Sequence, residues 1–170
     1  MKITLTDYSP DWPRRFEIVR LQLLQQISLP VTIEHIGSTA VPGLCAKPII
    51  DIMIGVPALE RIDEAVPEIE ALGYEYLSIF EDQMPYRRFF RKWKGDIRTH
   101  HIHMVEAKST FWNRHLLFRD YLRAHQEIAA QYATLKRDLA TREWEDMNEY
   151  ADAKTAFIRN VEACAAAETS

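Results

Sequence analysis

The stretch from Ile49 to Val56 is almost entirely apolar, and it contains a single acid, Asp51. Such a run predicts a strand buried on both faces of a sheet, and a carboxylate inside it is costly to bury without a partner. Because side chains alternate along a regular strand, Asp51 and Met53 share one face. We therefore expect Asp51 to face a polar cleft, where it could bind a hard cation or accept a hydrogen bond from Lys or Arg. A buried Asp tied to backbone donors or to one Arg is the alternative.

Three histidines fall within four positions, at His100, His101 and His103. In a strand, Thr99, His101 and His103 share a face, and the backbones of the two histidines lie about 6.5–7 Å apart. Both imidazoles could therefore converge on one metal ion or one phosphate. Together with Asp51 they are the candidate catalytic residues and the candidate ligands of a divalent metal, Mg²⁺, Mn²⁺ or Zn²⁺. One structural histidine and one surface histidine are the alternative.

A Gly-Ser-Thr turn follows a predicted strand over residues 31–36. The chain after such a strand can open a helix whose free N–H groups bind phosphate, and a glycine lets the backbone approach it closely. Ser38 and Thr39 would add hydroxyl donors beside Gly37. The turn therefore indicates a phosphate grip, although ordinary turns without a ligand have the same composition.

Basic residues cluster in one short segment of an acidic chain. The net charge is −4, yet residues 85–106 hold six basic and two acidic side chains, whereas residues 56–84 hold one basic and eight acidic. The basic segment predicts a hairpin that brings cations to the phosphate grip, and the acidic segment predicts an exposed helix. A solvated strand face is the alternative for the basic segment.

Cations on the predicted strand over residues 86–93 alternate in pairs between its two faces. Arg88 and Lys92 share one face, while Arg87 and Arg91 share the other. Whichever face meets the cleft therefore brings two cations. The candidate ligand-binding residues are Gly37, Ser38, Thr39, Lys47, Arg88, Arg91, Tyr132 and Lys136.

Two Tyr-Lys pairs in the C-terminal part of the chain have helical spacing. Tyr132 and Lys136 lie one helical turn apart, as do Tyr150 and Lys154. Either pair could reach the cleft as a phosphate or base contact. Packing of the ring together with a solvated amine is the alternative.

The elements that must position these residues alternate at first and then become helical. Periodicity predicts helices over residues 12–27, 58–72 and much of 111–166, and strands over 31–36, 49–56, 74–80, 86–93 and 97–106. This order predicts an α/β (α+β) fold, a mixed sheet flanked by helices with a helical C-terminal part. We expect one domain over residues 1–170, with an α/β core at 1–108 and C-terminal helices at 109–166.

Composition excludes several classes of protein. No run of about 18 apolar residues is present, so no membrane-spanning helix is expected, and the first residues lack a secretory signal. Cys45 and Cys164 are the two cysteines, which argues against a disulfide scaffold or a zinc-cysteine site and favours the cytoplasm. The net negative charge argues against nucleic acid as the partner. A nucleotide or another small phosphate-bearing ligand is expected, and the oligomeric state is left open.

Several sequence blocks carry a family resemblance. They are residues 35–44, 46–52, 88–91, 99–103, 118–123, 132–136 and 153–158. These blocks resemble the signature of the GrpB family, and the similarity runs from Asp11 to about Val161. That family also occurs fused to dephospho-CoA kinase in some bacteria, which suggests nucleotide or CoA metabolism.

The resemblance implies a nucleotidyltransferase fold. In that superfamily a Gly-Ser turn grips the nucleotide phosphates, and acids in an Asp-x-Asp arrangement, with a third acid from a later strand, hold Mg²⁺. By this match Gly37 and Ser38 are the phosphate grip and Asp51 is the first acid. Met53 replaces the second acid, and the later strand offers histidines. Two bridging metal ions need several carboxylates, so ordinary two-metal transfer is in doubt.

Three functional hypotheses follow. The first is a nucleotidyltransferase-like protein that binds a nucleotide or another phosphate-bearing ligand and transfers a nucleotidyl group to a small acceptor. The second is a non-catalytic module that binds a ligand or stabilises a partner. The third is a metal-dependent hydrolase using Asp51, His101 and His103, because His-x-His with a carboxylate suits a transition metal better than Mg²⁺.

Overall fold

Five strands form one mixed sheet in the computed structural model, which describes residues 1–169. The strands are β1 (Thr32–Ile36), β2 (Ile50–Val56), β3 (Glu75–Tyr76), β4 (Arg87–Lys94) and β5 (Ile97–Glu106), and the helices are α1 (Asp11–Gln26), α2 (Val66–Glu70), α3 (Thr110–Ala124), α4 (Gln126–Ala140) and α5 (Met147–Thr169). The strand order is β1-β2-β5-β4-β3. Strands β2 and β5 are parallel, and the other neighbours are antiparallel. The predicted mixed α/β fold with a helical C-terminal part is confirmed.

Two predicted elements are shorter than their periodicity indicates. The predicted helix over residues 58–72 is a 3₁₀ segment, Leu59–Ala65, followed by α2. Pro67 lies in the first turn of α2, where a residue without an N–H donor is tolerated, whereas in the middle of one long helix it would break a hydrogen bond. The predicted strand over 74–80 is a strand only at Glu75–Tyr76, is followed by one further backbone hydrogen bond from Leu77 to Phe89 at 3.0 Å, and then turns. Short edge strands of this kind protect a sheet from pairing with other chains.

One face of the sheet carries the main hydrophobic core. Ile50, Ile52 and Ile54 of β2 are completely buried there, together with Ile102 and Phe90 of the neighbouring strands. Helices α1 and α2 cover this face. The apolar side chains in β2 are therefore explained by the core, and the alternating positions of the same strand face the opposite side.

Helix α3 packs on the opposite face of the sheet, over Met53 and Gly55. Met53 is fully buried in a cluster with Phe111 and Trp112 of α3. A Cβ atom added to Gly55 would lie 2.7 Å from Cζ3 of Trp112 and 3.0 Å from Cβ of Ala107. Glycine at position 55 therefore lets the indole approach the sheet backbone.

We expect Gly55→Ala to lower the free energy of unfolding by about 1–3 kcal/mol, because the added methyl group overpacks a closed contact. Urea denaturation measures the loss. In a Trp112→Phe background the same substitution should cost less, since the smaller ring vacates part of the space. An equal cost in both backgrounds would contradict the contact.

Helices α3, α4 and α5 pack on one another and on the loop that precedes β2. Arg119 of α3 fixes this layer to β1, because its guanidinium donates to Oε2 of Glu34 at 2.7 Å and to the carbonyl of His35 at 3.0 Å. Arg123 donates to the carbonyl of Ala40 at 2.9 Å. The helical layer is thus held beside the end of β1. None of the helices within residues 1–169 is long and apolar enough to cross a membrane.

Candidate functional site

The turn after β1 holds a glycine in a conformation that other residues avoid. Gly37 has φ 75° and ψ −174° and precedes a 3₁₀ turn, Ser38–Ala40. A Cβ atom on Gly37 would lie 2.7 Å from Oδ2 of Asp51. Both the backbone conformation and the close approach of the carboxylate therefore require glycine. The structure places the Gly-Ser turn and Asp51 in contact.

Thr39 supports this turn from the protein interior. Its side chain donates to the carbonyl of Ile49 at 3.4 Å, and Nε2 of His35 lies 2.9 Å from its Oγ1. Burial lowers the pKa of His35 to about 4, so the ring is neutral and donates through Nε2 to Thr39. The Thr39 hydroxyl thus ties the turn to the start of β2 and is not a free phosphate donor.

Asp51 meets two histidines across the parallel pair of strands. In the register of β2 with β5, Asp51 is opposite His101, and His103 is two residues further along. Oδ1 of Asp51 lies 3.5 Å from Nδ1 of His101 and 3.7 Å from Nε2 of His103. Burial opposes ionisation of the carboxyl group, but its interactions with the two imidazoles outweigh burial and hold the pKa of Asp51 well below its usual range. Asp51 is therefore an anion.

Two arginines contact the outer nitrogens of the same imidazoles. Nη1 of Arg87 lies 3.2 Å from Nδ1 of His103, and Nη1 of Arg98 lies 3.4 Å from Nε2 of His101. Since a guanidinium only donates, each ring accepts from its arginine and directs its own N–H toward Asp51. Burial also lowers the pKa of His103. The result is an Arg-His-Asp-His-Arg series of polar contacts, 3.2–3.7 Å apart, along one face of the sheet.

This donor set does not fit a pair of Mg²⁺ ions. Within residues 1–169 no group of three or more His, Cys, Asp and Glu side chains has the arrangement of a metal site. Met53, which replaces the second acid, is covered by α3, and the outer nitrogens of His101 and His103 already contact arginines. Asp51 alone fits one Mg²⁺ that arrives with ligand phosphates, because such ions take one or two carboxylates plus phosphate oxygens.

Three lysines surround the Gly-Ser turn. Nζ of Lys136 is 2.7 Å from Oγ of Ser38 and 2.7 Å from the carbonyl of Cys45. Burial, reinforced by the charge of Lys154, lowers the pKa of Lys136 to about 7 and that of Lys47 to about 8. Burial lowers the pKa of Lys154 as well, and Asp51 is the acid that interacts with all three. The turn is therefore a cationic site with one counter-charge.

Two tyrosines complete the lysine cluster. Tyr132 is buried, with its hydroxyl beside Ser38. The ring of Tyr150 lies 5.0 Å from Nζ of Lys47 and 4.5 Å from Nζ of Lys154. Its hydroxyl is buried, and no hydrogen-bond partner within residues 1–169 reaches it. Both Tyr-Lys pairs with helical spacing thus point to the Gly-Ser turn.

Two cavities meet at this point of the molecule. The larger, which we call the main cleft, has a volume of about 740 Å³, and the smaller, the side cavity, has about 340 Å³. Ser38, Asp51 and Lys154 line both. The main cleft also contains Lys47, Thr39, Lys136, Tyr150, Trp93, Arg98 and His101. A ligand in either cavity would contact the same three side chains.

The basic hairpin contributes less to the cleft than its charge indicates. Arg88 lies on the opposite face of the sheet, 2.7 Å from Asp63 and 3.4 Å from Glu81. Arg91 is on the face of His101 but donates to Glu75 at 2.6 Å. The acidic segment 56–84 therefore neutralises much of the hairpin. We leave Arg88 out of the site, because its partners hold it away from the turn.

Other side chains of the site are less visible in the sequence. Strand alternation in the sequence places Arg87 on the same face as Arg91. The contact of Arg98 with His101, in contrast, depends on a β-bulge at Lys92/Trp93. His115 of α3 lines the side cavity, and no sequence motif marks it. A contact between distant segments has no local signature.

Comparisons with known proteins agree with this architecture. The family profile described as "GrpB protein" matches residues 2–163. The UPF0157 protein YqkA of Bacillus subtilis is 40% identical over 95% of this chain, which spans only 46% of that protein. A dephospho-CoA kinase of Mycolicibacterium paratuberculosis is 28% identical over 93% of this chain, which spans 44% of that protein.

Solved structures show the same fold. The conserved protein GrpB from Enterococcus faecalis superposes with a TM-score of 0.86 at 39% identity, covering 98% of this chain and 99% of that one. Cid1, described as having RNA terminal uridylyl transferase activity, superposes with a TM-score of 0.56 at 15% identity, over 81% of this chain and 42% of its own. The second likeness shows the nucleotidyltransferase fold alone. On the family profile and the close relatives, the chain belongs to the GrpB family.

Proposed function

We propose that the chain binds a nucleotide, or another small phosphate-bearing ligand, with its phosphates at Ser38 in the main cleft. The observation that supports this is the set of three lysines, Lys47, Lys136 and Lys154, around one serine with Asp51 as their counter-charge. Burial and mutual repulsion penalise these ammonium groups in the free protein. A polyphosphate relieves both penalties through charge-assisted hydrogen bonds.

The main cleft has room for the rest of a nucleotide. Its volume of about 740 Å³ is within the range of about 300–1,000 Å³ of small-molecule sites. From the lysines it extends to Trp93, whose ring is 4.9 Å from the guanidinium carbon of Arg98. Asp51 would share one divalent ion with the phosphates, since a carboxylate facing a bare polyphosphate would repel it.

Nucleotidyl transfer to a small acceptor is the catalytic form of this proposal. It rests on the fold, which by itself is weak support for an activity. A binding module without catalysis is the alternative, because Met53 removes an acid. The hydrolase hypothesis loses support, because arginines contact the outer nitrogens of His101 and His103.

We expect Lys154→Met to raise the Kd for nucleoside triphosphates by about 10- to 100-fold. One charge-assisted hydrogen bond contributes about 1.5–3 kcal/mol, which is one to two decades of affinity. Isothermal titration calorimetry with ATP, GTP, CTP, UTP and inorganic pyrophosphate, each with Mg²⁺ or with EDTA, measures the change.

The control is Lys94→Met, because Lys94 is exposed and lies outside both cavities. It should leave the Kd within about twofold. The proposal fails if wild-type protein binds none of these phosphates at millimolar concentration. It also fails if the two lysine variants lose affinity equally.

A further inference from the structure

The side cavity adjoins the phosphate site from the side of α3 and α5. It is lined by His115 and Phe118 of α3 and by Ile158 of α5, among others. Ser38, Asp51 and Lys154 separate it from the main cleft and line both spaces. A molecule in the side cavity therefore meets a molecule in the main cleft at the phosphate grip.

His115 presents an unprotonated nitrogen in this cavity. Its Nδ1 lies 2.7 Å from the carbonyl of Phe111, and its ring stacks on that of Phe111 with the centroids 3.9 Å apart. A carbonyl only accepts, so Nδ1 carries the proton and Nε2 carries the lone pair. Burial lowers the pKa of His115 to about 4, which keeps the ring neutral. No hydrogen-bond partner from the described part of the chain reaches Nε2.

The charges of the cavity select the kind of molecule that it accepts. Glu162 is neutralised by Arg114 at 3.2 Å and Arg159 at 3.1 Å. Asp51, the other acid that lines the cavity, is occupied by the divalent ion that the proposed function gives it. Lys154 adds a further positive charge at the entrance to the phosphate site. With the apolar walls of Phe118 and Ile158, these charges favour a small neutral or anionic alcohol over an amine.

We propose that the side cavity is the acceptor subsite of a nucleotidyl transfer, in which Nε2 of His115 takes the proton of the acceptor hydroxyl. This inference rests on the proposed function. The acceptor oxygen forms a bond to the α-phosphorus of a nucleoside triphosphate, and the bond from that phosphorus to the bridging oxygen of pyrophosphate breaks. Pyrophosphate leaves with the electron pair, beside Lys47 and Lys136. The proton passes from the hydroxyl to His115 and then to solvent.

A bound polyphosphate makes His115 a better base. The negative charge that it adds near the ring raises the pKa of His115 toward the working pH, where general bases are most efficient.

The test measures pyrophosphate release from Mg²⁺-ATP, -GTP, -CTP and -UTP with glycerol, ribose, glycerate or ethanolamine as acceptor. His115→Asn keeps a donor near the carbonyl of Phe111 but has no Nε2. We expect it to slow release at least 100-fold, since general-base catalysis contributes about 10²–10⁴-fold, while the nucleotide Kd stays within about twofold.

His125 provides a matched control. It lies just after α3, its Nδ1 is 2.9 Å from the carbonyl of Tyr121, and its ring stacks on Tyr121 at 3.9 Å, outside both cavities. His125→Asn should leave the release rate within about twofold. Nitrogen-15 NMR of wild-type protein at pH 7 should show Nε2 of His115 unprotonated.

The outcomes separate this inference from the proposed function. If nucleotides bind but no alcohol raises pyrophosphate release above the level with nucleotide alone, the acceptor subsite is overturned and the phosphate site stands. If no nucleotide binds, both proposals fail. A protonated Nε2, an equal effect of the two histidine variants, or a preference for ethanolamine overturns the role given to His115 and its cavity.

Discussion

Gly37→Ala should lower the free energy of unfolding by about 3 kcal/mol or more and abolish nucleotide binding. At φ 75° and ψ −174° the backbone is in a region open almost only to glycine, and a side chain there costs about 1–3 kcal/mol. The new Cβ would also lie 2.7 Å from Oδ2 of Asp51, so the carboxylate must move away from the turn. Urea denaturation and calorimetry with ATP measure the two losses.

Gly43→Ala is the matched control for this substitution. Gly43 also has a positive φ, of 80°, but nothing lies within 4 Å of an added Cβ. It has a positive φ without the collision, so it should cost less stability and should leave the nucleotide Kd nearly unchanged. In an Asp51→Ala background, Gly37→Ala should lose less stability than in the wild type. Equal costs at positions 37 and 43 would show that the contact with Asp51 has no energetic weight.

The sequence identifies Asp51 because local chemistry is sufficient there. A single acid in a run of buried aliphatic residues demands a partner whatever the rest of the fold is. Strand alternation then places His101 and His103 on one face without knowledge of the partner strands. The parallel register that puts Asp51 opposite His101 is a tertiary result, which periodicity does not predict.

The features that the sequence does not reveal have the opposite cause, because they depend on contacts between distant segments. Strand alternation places Arg88 and Arg91 on opposite faces, but their pairing with acids follows from partners far along the chain, Asp63 for the first and Glu75 for the second. Net charge by segment cannot show that an acidic segment folds back on a basic one. His115 is invisible for the same reason, since its cavity exists only when α3 and α5 pack together.

The buried lysine cluster lowers the stability of the folded protein. Like charges that are buried together with one counter-charge destabilise the folded state, so a chain selected for stability alone would replace them. Residues that violate the rules of core packing concentrate at functional sites. Lys136, which is 3% exposed, is the clearest of these violations and gives the most direct test.

Lys136→Met should stabilise the free protein and remove phosphate binding. Folding lowers the pKa of Lys136 from 10.5 to about 7, and each unit corresponds to about 1.4 kcal/mol. Loss of its hydrogen bonds to Ser38 and to the carbonyl of Cys45, at about 1 kcal/mol each, offsets part of the gain. We expect a net gain on the order of 3 kcal/mol at pH 6, measured by urea denaturation, and an increase of at least 100-fold in the Kd for ATP.

The pH dependence of the free energy of unfolding distinguishes removal of the buried charge of Lys136 from a general gain in packing. Between pH 7 and about 10.5 the unfolded chain holds a proton on Lys136 that the folded chain has released, so wild-type stability rises with pH in that window. Below pH 7 the lysine is charged in both states and the full penalty applies. The advantage of Lys136→Met should therefore be largest below pH 7 and shrink as the pH rises toward 10. An advantage that is constant with pH would mean that the buried charge is not what destabilises the phosphate site.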